Sequence, residues 1–268
     1  MTDLTIFSVA TDRYLEFWLE LLSTAEKFIN KDINVQWILF TNREDEIPWA
    51  VAERLGVNLV TVRFESSPWP MPTLLRYELL AKTADKIEGE IVMHLDADMV
   101  FAGSLTKNDL IQAIANHEIA LVRHPGYFRP SKFAKVMFYL RNPRYILSDL
   151  KSHLLNGGIG SWENNSASLA FVSRKDRKVY VCGATWFGKK SSIIDLCSSL
   201  SLRIQEDLSK NIIARFHDES HLNWFAANNS FSLLGPKFCY DKNYPQLSGI
   251  MPTLIAVEKG KGTDWKRQ

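Results

Sequence analysis

The chain has 268 residues, of which 46% are hydrophobic and 12% aromatic, so it can bury a sizeable core as one large domain or two small ones. Its 32 lysines and arginines against 30 aspartates and glutamates give a formal net charge of +2, which excludes a global field that attracts nucleic acid. The start lacks the continuous apolar run of a secretory signal, and no apolar run reaches the roughly 20 residues of a membrane span, so we expect a soluble, cytoplasmic protein.

The first third of the chain alternates short apolar runs with segments of helical periodicity. We predict strands at residues 4–9, 35–41, 57–64 and 90–95, and helices at 14–29 and 73–87. Strand and helix in alternation predict an α/β fold whose mostly parallel central sheet carries helices on both faces. In open sheets of this kind, ligands bind beyond the carboxyl ends of the strands.

Two aspartates, Asp96 and Asp98, directly follow the last of these strands. Carboxylate oxygens are the ligands that Mn²⁺ and Mg²⁺ prefer, and a metal held by this pair can bridge a diphosphate. Two acids that bound a solvated turn are the structural alternative. A phosphatase of the haloacid dehalogenase type also places such a pair after an apolar strand, but it needs a later Gly-Asp pair, which this sequence lacks.

The segment 131–157 interleaves lysines and arginines with large apolar residues and is predicted to be a basic, amphipathic helical insertion. Its cationic face is either simply solvated or makes contact with a membrane surface or an anionic acceptor carrier. Gly157, Gly158 and Gly160 then mark a loop.

The segment His217-Asp218-Glu219-Ser220-His221-Leu222-Asn223 places five ionisable or hydroxyl side chains immediately before an apolar run. Acids in the first turn of a helix are stabilised by the helix dipole, which is the structural explanation for Asp218 and Glu219. The crowding of so many polar groups between apolar flanks favours a functional site. A held carboxylate suits glycosyl transfer, because it stabilises or attacks the positive anomeric carbon that forms when the leaving group departs, and Glu219 is the candidate.

The three cysteines, Cys182, Cys197 and Cys239, are odd in number and widely spaced. This pattern argues against a disulfide framework and against a structural zinc site. We therefore expect reduced thiols.

Several segments stand in an order and spacing that a known family shares, apart from the insertion at 131–157. They are LTIFSV with the following Tyr14 and TAEK, WILFTN, Arg76-Tyr77-Glu78, HLDADMVF, RHPGYF, HDESHLN and KFCYD. Together they resemble glycosyltransferase family 6, the retaining enzymes that include the histo-blood-group A and B transferases and the α-1,3-galactosyltransferases. The resemblance covers nearly the whole catalytic domain of that family.

This resemblance implies a GT-A fold, a UDP-sugar donor, and Mn²⁺ dependence, with Mg²⁺ as a second option. It further implies transfer of galactose or N-acetylgalactosamine in α-1,3 linkage to a terminal β-galactoside, on a glycan that can be lipid-linked. The catalytic domain would span residues 1–245, and residues 246–268 would form a tail or lid over the donor diphosphate. A non-catalytic nucleotide-sugar or glycan-binding protein on the same fold is the alternative.

By position, the resemblance assigns residues to the donor side. The residues implied for the uridine are Phe7, Val9 and Tyr14; for the metal and diphosphate, Asp96, Ala97 and Asp98; and for the donor sugar, Arg76 and Asp218. Glu219 matches the proposed nucleophile, and the resemblance leaves open a covalent intermediate or a same-face ion pair. The cations implied for the lid are Lys259, Lys266 and Arg267, although a cationic tail also serves solubility.

The donor-specificity triplet of the family matches Cys182-Gly183-Ala184. Ala184 in place of Gly narrows the pocket beside the sugar 2-position, which favours galactose modestly over N-acetylgalactosamine. The acceptor-side residues implied are His124, Ser161, Phe216, Glu219 and Asp241. Phe216 stands where the family usually has Trp, so the site keeps an apolar platform and loses the indole donor.

Overall fold

The computed structural model describes residues 2–47, 49 and 57–258. The strands are β1 (Leu4–Val9), β2 (Val35–Thr41), β3 (Asn58–Arg63), β4 (Ile91–Leu95), β5 (Met99–Phe101), β6 (Ile119–Arg123), β7 (Val181–Lys189), β8 (Ser232–Leu234) and β9 (Leu254–Ala256). The α-helices are α1 (Tyr14–Phe28), α2 (Met71–Leu74), α3 (Arg76–Lys82), α4 (Lys107–Ala113), α5 (Lys132–Arg141), α6 (Arg144–Asn156), α7 (Lys190–Ser209) and α8 (His217–Asn228).

The main sheet has the strand order β3-β2-β1-β4-β7-β6-β8. The pairs among β3, β2, β1 and β4 are parallel, as is β6 with β8, whereas β7 runs antiparallel to both β4 and β6. The predicted α/β fold with a mostly parallel sheet is confirmed. The antiparallel β7 brings the start of that strand beside the end of β4, because Leu95 pairs with Thr185.

Side chains alternate between the two faces of this sheet, and each face packs against helices. On one face Leu4 and Ile6 pack in a core with Trp18 of α1. On the other face Phe7 shares a core with Tyr77 of α3 and Leu196 of α7. Apolar burial on both faces explains why the inner strands read as nearly continuous hydrophobic runs.

The predicted helix at 73–87 is wrong in its extent. The structure has the short helix α2, a break at Leu75, and α3 from Arg76 to Lys82. Thr83 ends α3 because its hydroxyl donates to the carbonyls of Leu79 and Leu80, within 3.2 Å, and competes with the helical pattern.

The insertion at 131–157 is helical, as predicted, and forms the pair α5 and α6 joined at Asn142 and Pro143. Its last helix ends at Gly157, whose φ of +71° is a left-handed conformation that favours glycine. No helix of the described residues is long and apolar enough to cross a membrane.

The described part of the predicted tail contains β9, which pairs antiparallel with β5 just after Asp98. The backbone N–H of Val257 also donates to the carbonyl of Asp98 at 2.8 Å. The last described residues of the chain therefore lie beside Asp98. The domain boundary at residue 245 stays a prediction.

Candidate active site

Asp96 and Asp98 lie where β4 ends, in a tight turn that leads into β5. The backbone N–H of Asp96 donates to the carbonyl of Ala184 at 2.9 Å, which fixes the turn against β7. Both aspartates are partly exposed, while Ala97 between them is buried. The carboxylates thus lie at the carboxyl edge of the sheet, where the sequence predicts a ligand site.

The buried guanidinium of Arg76 joins two of the predicted acids. Its Nη1 donates to Asp96 Oδ1 at 2.8 Å, and its Nε lies 3.4 Å from Asp218 Oδ2. The same Nη1 lies 3.3 Å from the carbonyl oxygen of Gly183. Although burial opposes its charge, the Asp218 and Asp96 carboxylates raise the pKa of Arg76, so it remains a cation.

His94 lies beside this ion pair, although no motif in the sequence marks it as a site residue. Its Nε2 is 2.7 Å from Arg76 Nη1 and 3.1 Å from Asp96 Oδ1. Burial, together with the nearby Arg76 charge, lowers the pKa of His94 to about 4. The ring is therefore neutral near pH 7 and can accept from Arg76, which fixes the guanidinium toward Asp96.

Asp218 and Glu219 lie in the first turn of α8, where the helix dipole favours negative charge. Asp218 is buried, and Glu219 is partly exposed. Burial raises the pKa of Asp218 to about 7 and that of Glu219 to about 7 as well, and the neighbouring carboxylate of Asp96 adds to both shifts. Two neighbouring carboxyls with such values are typical of a functional site.

Gly183 holds Glu219 in place. Its backbone N–H donates to Glu219 Oε2 at 2.8 Å. A Cβ on Gly183 would lie 3.3 Å from the Cβ of Glu219 and 3.5 Å from Asp218 Oδ2. The middle of the triplet must therefore be small for Glu219 to keep this position.

Cys182 and Cys239 are brought together by the fold, with their sulfurs 2.9 Å apart, although 57 residues separate them in the chain. All three cysteines are buried and free. The contact with Cys239, with burial, raises the pKa of the Cys182 thiol, so it stays protonated. The spacing of these two cysteines along the chain does not indicate this contact.

Four of the predicted acceptor-side residues lie around a polar aromatic cluster. His124 packs on Tyr127 and Tyr180, with ring centroids 4.7 and 5.7 Å away. The Tyr127 hydroxyl shares a hydrogen bond with the Ser161 hydroxyl, and the Tyr180 hydroxyl donates to the Ser161 carbonyl at 3.3 Å.

This cluster connects to the acids and to Asp241. The Tyr180 hydroxyl is also a hydrogen-bond partner of the Glu219 carboxyl. The Asp241 carboxylate lies close enough to His124 to favour its protonated form. Burial lowers the pKa of His124 to about 4, so its ring is neutral, and its Nδ1 accepts from the N–H of Gly126 at 3.1 Å. Tyr180 was missed in the sequence, although it stands two residues before the specificity triplet.

Phe216, the fifth acceptor-side residue, precedes α8 and is partly exposed. Its backbone N–H donates to the Ser220 hydroxyl at 2.9 Å, which satisfies one backbone donor near the start of the helix. Phe216 therefore stands three residues before Glu219, at the start of the helix that carries both acids.

The residues predicted for the uridine divide into two groups. Val9 and Tyr14 are partly exposed at the carboxyl end of β1 and the start of α1. The Phe7 side chain has no exposed surface and packs 4.8 Å from the His94 ring and 5.5 Å from the Trp186 ring. Phe7 therefore lies in the interior of the sheet, whereas Val9 and Tyr14 lie at its carboxyl edge. Lys259, Lys266 and Arg267 lie outside the described residues.

The donor set suits a divalent metal shared with a diphosphate. No cluster of three or more His, Cys, Asp or Glu that could hold an ion by itself occurs among the described residues. Hard cations that serve nucleotides are usually held by one or two carboxylates, and substrate phosphates complete the coordination. Asp96 and Asp98, both partly open to solvent at the sheet edge, fit that arrangement.

Comparison with known proteins agrees with this geometry. The model of glycosyltransferase family 6 matches residues 159–268, which include the triplet, α8 and the return to β9. The chain is 25% identical over 243 residues to the O-antigen biosynthesis glycosyltransferase WbnI of Escherichia coli, covering 90% of this chain and 89% of that protein.

Animal proteins are similarly related. The globoside alpha-1,3-N-acetylgalactosaminyltransferase 1 of Canis lupus familiaris is 25% identical over 272 residues, covering 98% of this chain and 67% of that protein. The histo-blood group ABO system transferase 1 of Rattus norvegicus is 24% identical over 263 residues, with 96% of this chain and 66% of that protein covered. With the mostly parallel sheet and the acids at its edge, these matches support a glycosyltransferase of family 6 with the GT-A fold of that family.

Proposed function

We propose that this glycosyltransferase moves galactose or N-acetylgalactosamine from a UDP-sugar to a terminal β-galactoside, with retention of configuration and in α-1,3 linkage. The observation that carries the proposal is the set of acids around one buried cation. Arg76 contacts both Asp96 and Asp218, and Gly183 holds the adjacent Glu219. In this set Asp96 is suited to the metal and diphosphate, and Glu219 is suited to stabilise the positive anomeric carbon of the sugar.

On the donor side, Asp96 and Asp98 would hold Mn²⁺, or Mg²⁺ in its place. When bound, the ion neutralises the charge that develops on the departing nucleotide diphosphate. Arg76 positions the Asp96 carboxylate by a charge-assisted hydrogen bond, which is shorter and stronger than a neutral one. Val9 and Tyr14 lie at the neighbouring strand end, where they support the assignment of the uridine to this side.

On the sugar side, Glu219 acts as the anion beside the anomeric carbon. Departure of the nucleotide leaves an oxocarbenium-like sugar, which a nearby carboxylate stabilises or attacks. The N–H of Gly183 and the Tyr180 hydroxyl orient Glu219. Asp218, held by Arg76, would bind hydroxyl groups of the donor sugar.

Donor choice depends on the partly exposed Ala184, which follows Gly183 on β7. Its methyl group narrows the space for an acetamido group at the sugar 2-position, so we propose a modest preference for galactose. A steric contrast of this size is worth only about 1–3 kcal/mol, so some activity with both donors is expected.

The acceptor galactose would bind on the side of His124, Ser161 and Asp241, with Phe216 as an apolar platform. The neutral His124 ring and the Ser161 hydroxyl offer hydrogen bonds to sugar hydroxyls without a fixed charge. We propose a glycan acceptor, which can be carried on a lipid, and action in the cytoplasm. The cations at 259–268 are proposed to close over the diphosphate, where they would limit donor hydrolysis.

A non-catalytic binding protein on the same fold is the competing function. A protein that only binds the nucleotide sugar has no need for a Glu219 carboxylate that Gly183 holds and whose pKa is raised. The match to glycosyltransferase family 6 also favours a transferase over a phosphatase. The retained acids therefore favour the transferase.

The test is incubation of the purified protein with Mn²⁺, either UDP-galactose or UDP-N-acetylgalactosamine, and a panel of β-galactosides. We expect transfer that a chelator abolishes, at a higher rate with UDP-galactose. If no donor and acceptor pair gives either transfer or donor hydrolysis, the transferase is rejected in favour of the binding protein. Full activity in the chelator would reject only the metal at Asp96 and Asp98.

A further inference from the structure

The helix pair α5 and α6 exposes an unusually large apolar surface. On α5, Phe133, Val136 and Leu140 are spaced three and four residues apart, which places them in one stripe along the helix. Phe133 is 74% exposed and Leu140 is 70% exposed. Single exposed apolar side chains are ordinary, whereas a continuous stripe of large ones marks an interaction site.

The second helix repeats the pattern. Leu147, Leu150 and Leu154 have the same spacing on α6, and Leu147 is 72% exposed. Ile146 and Leu155 flank this stripe and are also exposed. The two consecutive helices therefore leave both stripes outside the protein core.

The charges around these stripes have one sign. Within residues 131–157, all of which the structure describes, the exposed lysines and arginines are Lys132, Lys135, Arg141, Arg144 and Lys151. The sole carboxylate there, Asp149, is buried. The segment therefore carries four net positive charges, whereas the rest of the chain carries a net charge of −2.

The opposite side of the helix pair is firmly fixed to the protein. Arg129 makes a two-pronged ion pair with Asp149, at 2.6 and 2.7 Å, and Tyr139 donates to the same carboxylate at 2.7 Å. The Arg129 guanidinium also lies 4.9 Å from the centre of the Tyr145 ring. The outward stripes are thus held on a fixed platform.

This platform adjoins the acceptor side of the candidate active site. Arg129 donates to the carbonyl of Gly126, two residues after His124, at 3.1 Å. At the other end, Arg177 donates to the carbonyls of Asn156 and Glu163, and so links the end of α6 to the loop that bears Ser161. A surface that covers α5 and α6 would lie beside both acceptor-side loops.

We propose that α5 and α6 form a docking surface for an anionic phospholipid bilayer. An apolar stripe that enters the region of the lipid headgroups, surrounded by lysines and arginines that face anionic lipids, is the pattern of a helix that lies on a membrane. Because the helix pair exposes cations and no carboxylate, its partner is expected to be anionic. The proposal does not rest on the transfer reaction, because it concerns a surface outside the catalytic residues.

The experiment is co-sedimentation of the full chain with vesicles of phosphatidylcholine alone or mixed with phosphatidylglycerol. We expect strong binding to the anionic vesicles, weak binding to the neutral ones, and release at high salt. A variant with Leu147→Ser, Leu150→Ser and Leu154→Ser should lose binding. Its control carries Leu202→Ser, Ile213→Ser and Met251→Ser, three exposed apolar positions outside the helix pair, and should bind like the wild type.

A second variant tests the charges without touching the apolar stripes. Each cation near an anionic surface strengthens binding about fivefold, so Lys132→Gln, Lys135→Gln and Lys151→Gln together should weaken it on the order of 100-fold. Its control carries Lys31→Gln, Lys86→Gln and Lys210→Gln, which are exposed elsewhere. Circular dichroism confirms that each variant is folded.

Three results would overturn the proposal. The first is no binding of the wild type to anionic vesicles, and the second is equal loss in a variant and its control. The third is a wild-type dimer that the leucine variant converts to a monomer while vesicles bind neither protein, which would show that the stripes join two copies of this chain. Because binding is measured without donor or acceptor, these outcomes are separate from failure of the transfer assay.

Discussion

Glu219→Gln should stabilise the folded protein while it removes turnover. The Glu219 carboxyl lies near those of Asp218 and Asp96, and burial raises its pKa from the usual 4.5 to about 7. Ionised Glu219 is therefore less stable in the folded protein than in the unfolded chain. Glutamine keeps the shape and a carbonyl oxygen that can accept from Gly183, without the charge.

The sign follows from proton binding. The pKa of Glu219 is 4.5 in the unfolded chain and about 7 in the folded protein, so between these pH values the folded state holds more protons. The free energy of unfolding therefore falls as pH rises through that window, and the loss is constant above it. At about 1.4 kcal/mol per pKa unit the shift corresponds to roughly 3 kcal/mol. Because Glu219 is partly exposed to solvent, about 1–2 kcal/mol is the gain we expect near pH 8, and well under 1 kcal/mol near pH 5.

The assay is urea denaturation of wild type and Glu219→Gln at both pH values, alongside the transfer rate. Glu20→Gln, an exposed position on α1, is the matched control and should change neither quantity. Turnover of Glu219→Gln should fall by at least about 100-fold with donor binding nearly unchanged. Destabilisation by the same amount at both pH values would refute the electrostatic reasoning, and normal turnover would remove Glu219 from catalysis.

Three further substitutions test other parts of the site. Asp96→Ala should abolish metal-stimulated transfer, a loss of at least about 100-fold, because the carboxylate that Arg76 positions is gone; a chelator titration of rates checks it. Gly183→Ala should lower turnover about tenfold or more, because its Cβ would lie 3.3 Å from that of Glu219 and displace the carboxylate; unchanged rates would show that the contact is not needed. Ala184→Gly should raise the ratio of kcat/KM for UDP-N-acetylgalactosamine over UDP-galactose by roughly 10-fold, and competition between the two donors measures it.

The inner strands of the sheet could be predicted from the local pattern of apolar residues. β1, β2 and β4 are nearly continuous apolar runs, because both faces of the sheet are covered, and their bounds match the predictions within one residue. The helix at 73–87 was less predictable. Its break at Leu75 and its end at Thr83 depend on backbone and hydroxyl geometry that hydrophobic periodicity does not record.

The site was predictable by position but not by pairing. Resemblance indicated Arg76, Asp96, Asp218 and Glu219, yet Arg76 and Asp218 are far apart in the chain and only the fold shows that they form one ion-pair network. His94 reads as one more residue of a buried strand, because its contact with Arg76 is long-range. The closeness of Cys182 to Cys239 was equally hidden, since it requires β7 to run beside a loop 57 residues later.

Transfer of a hexose with retention of configuration is the reaction that we propose for this site. The most direct test is nuclear magnetic resonance of the product formed from a UDP-α-hexose, Mn²⁺ and a terminal β-galactoside. We expect a new glycosidic bond of α configuration at the 3-hydroxyl of the acceptor galactose, and we expect Glu219→Gln to form none. A product with β configuration, or unaltered donor and acceptor after prolonged incubation, would contradict it.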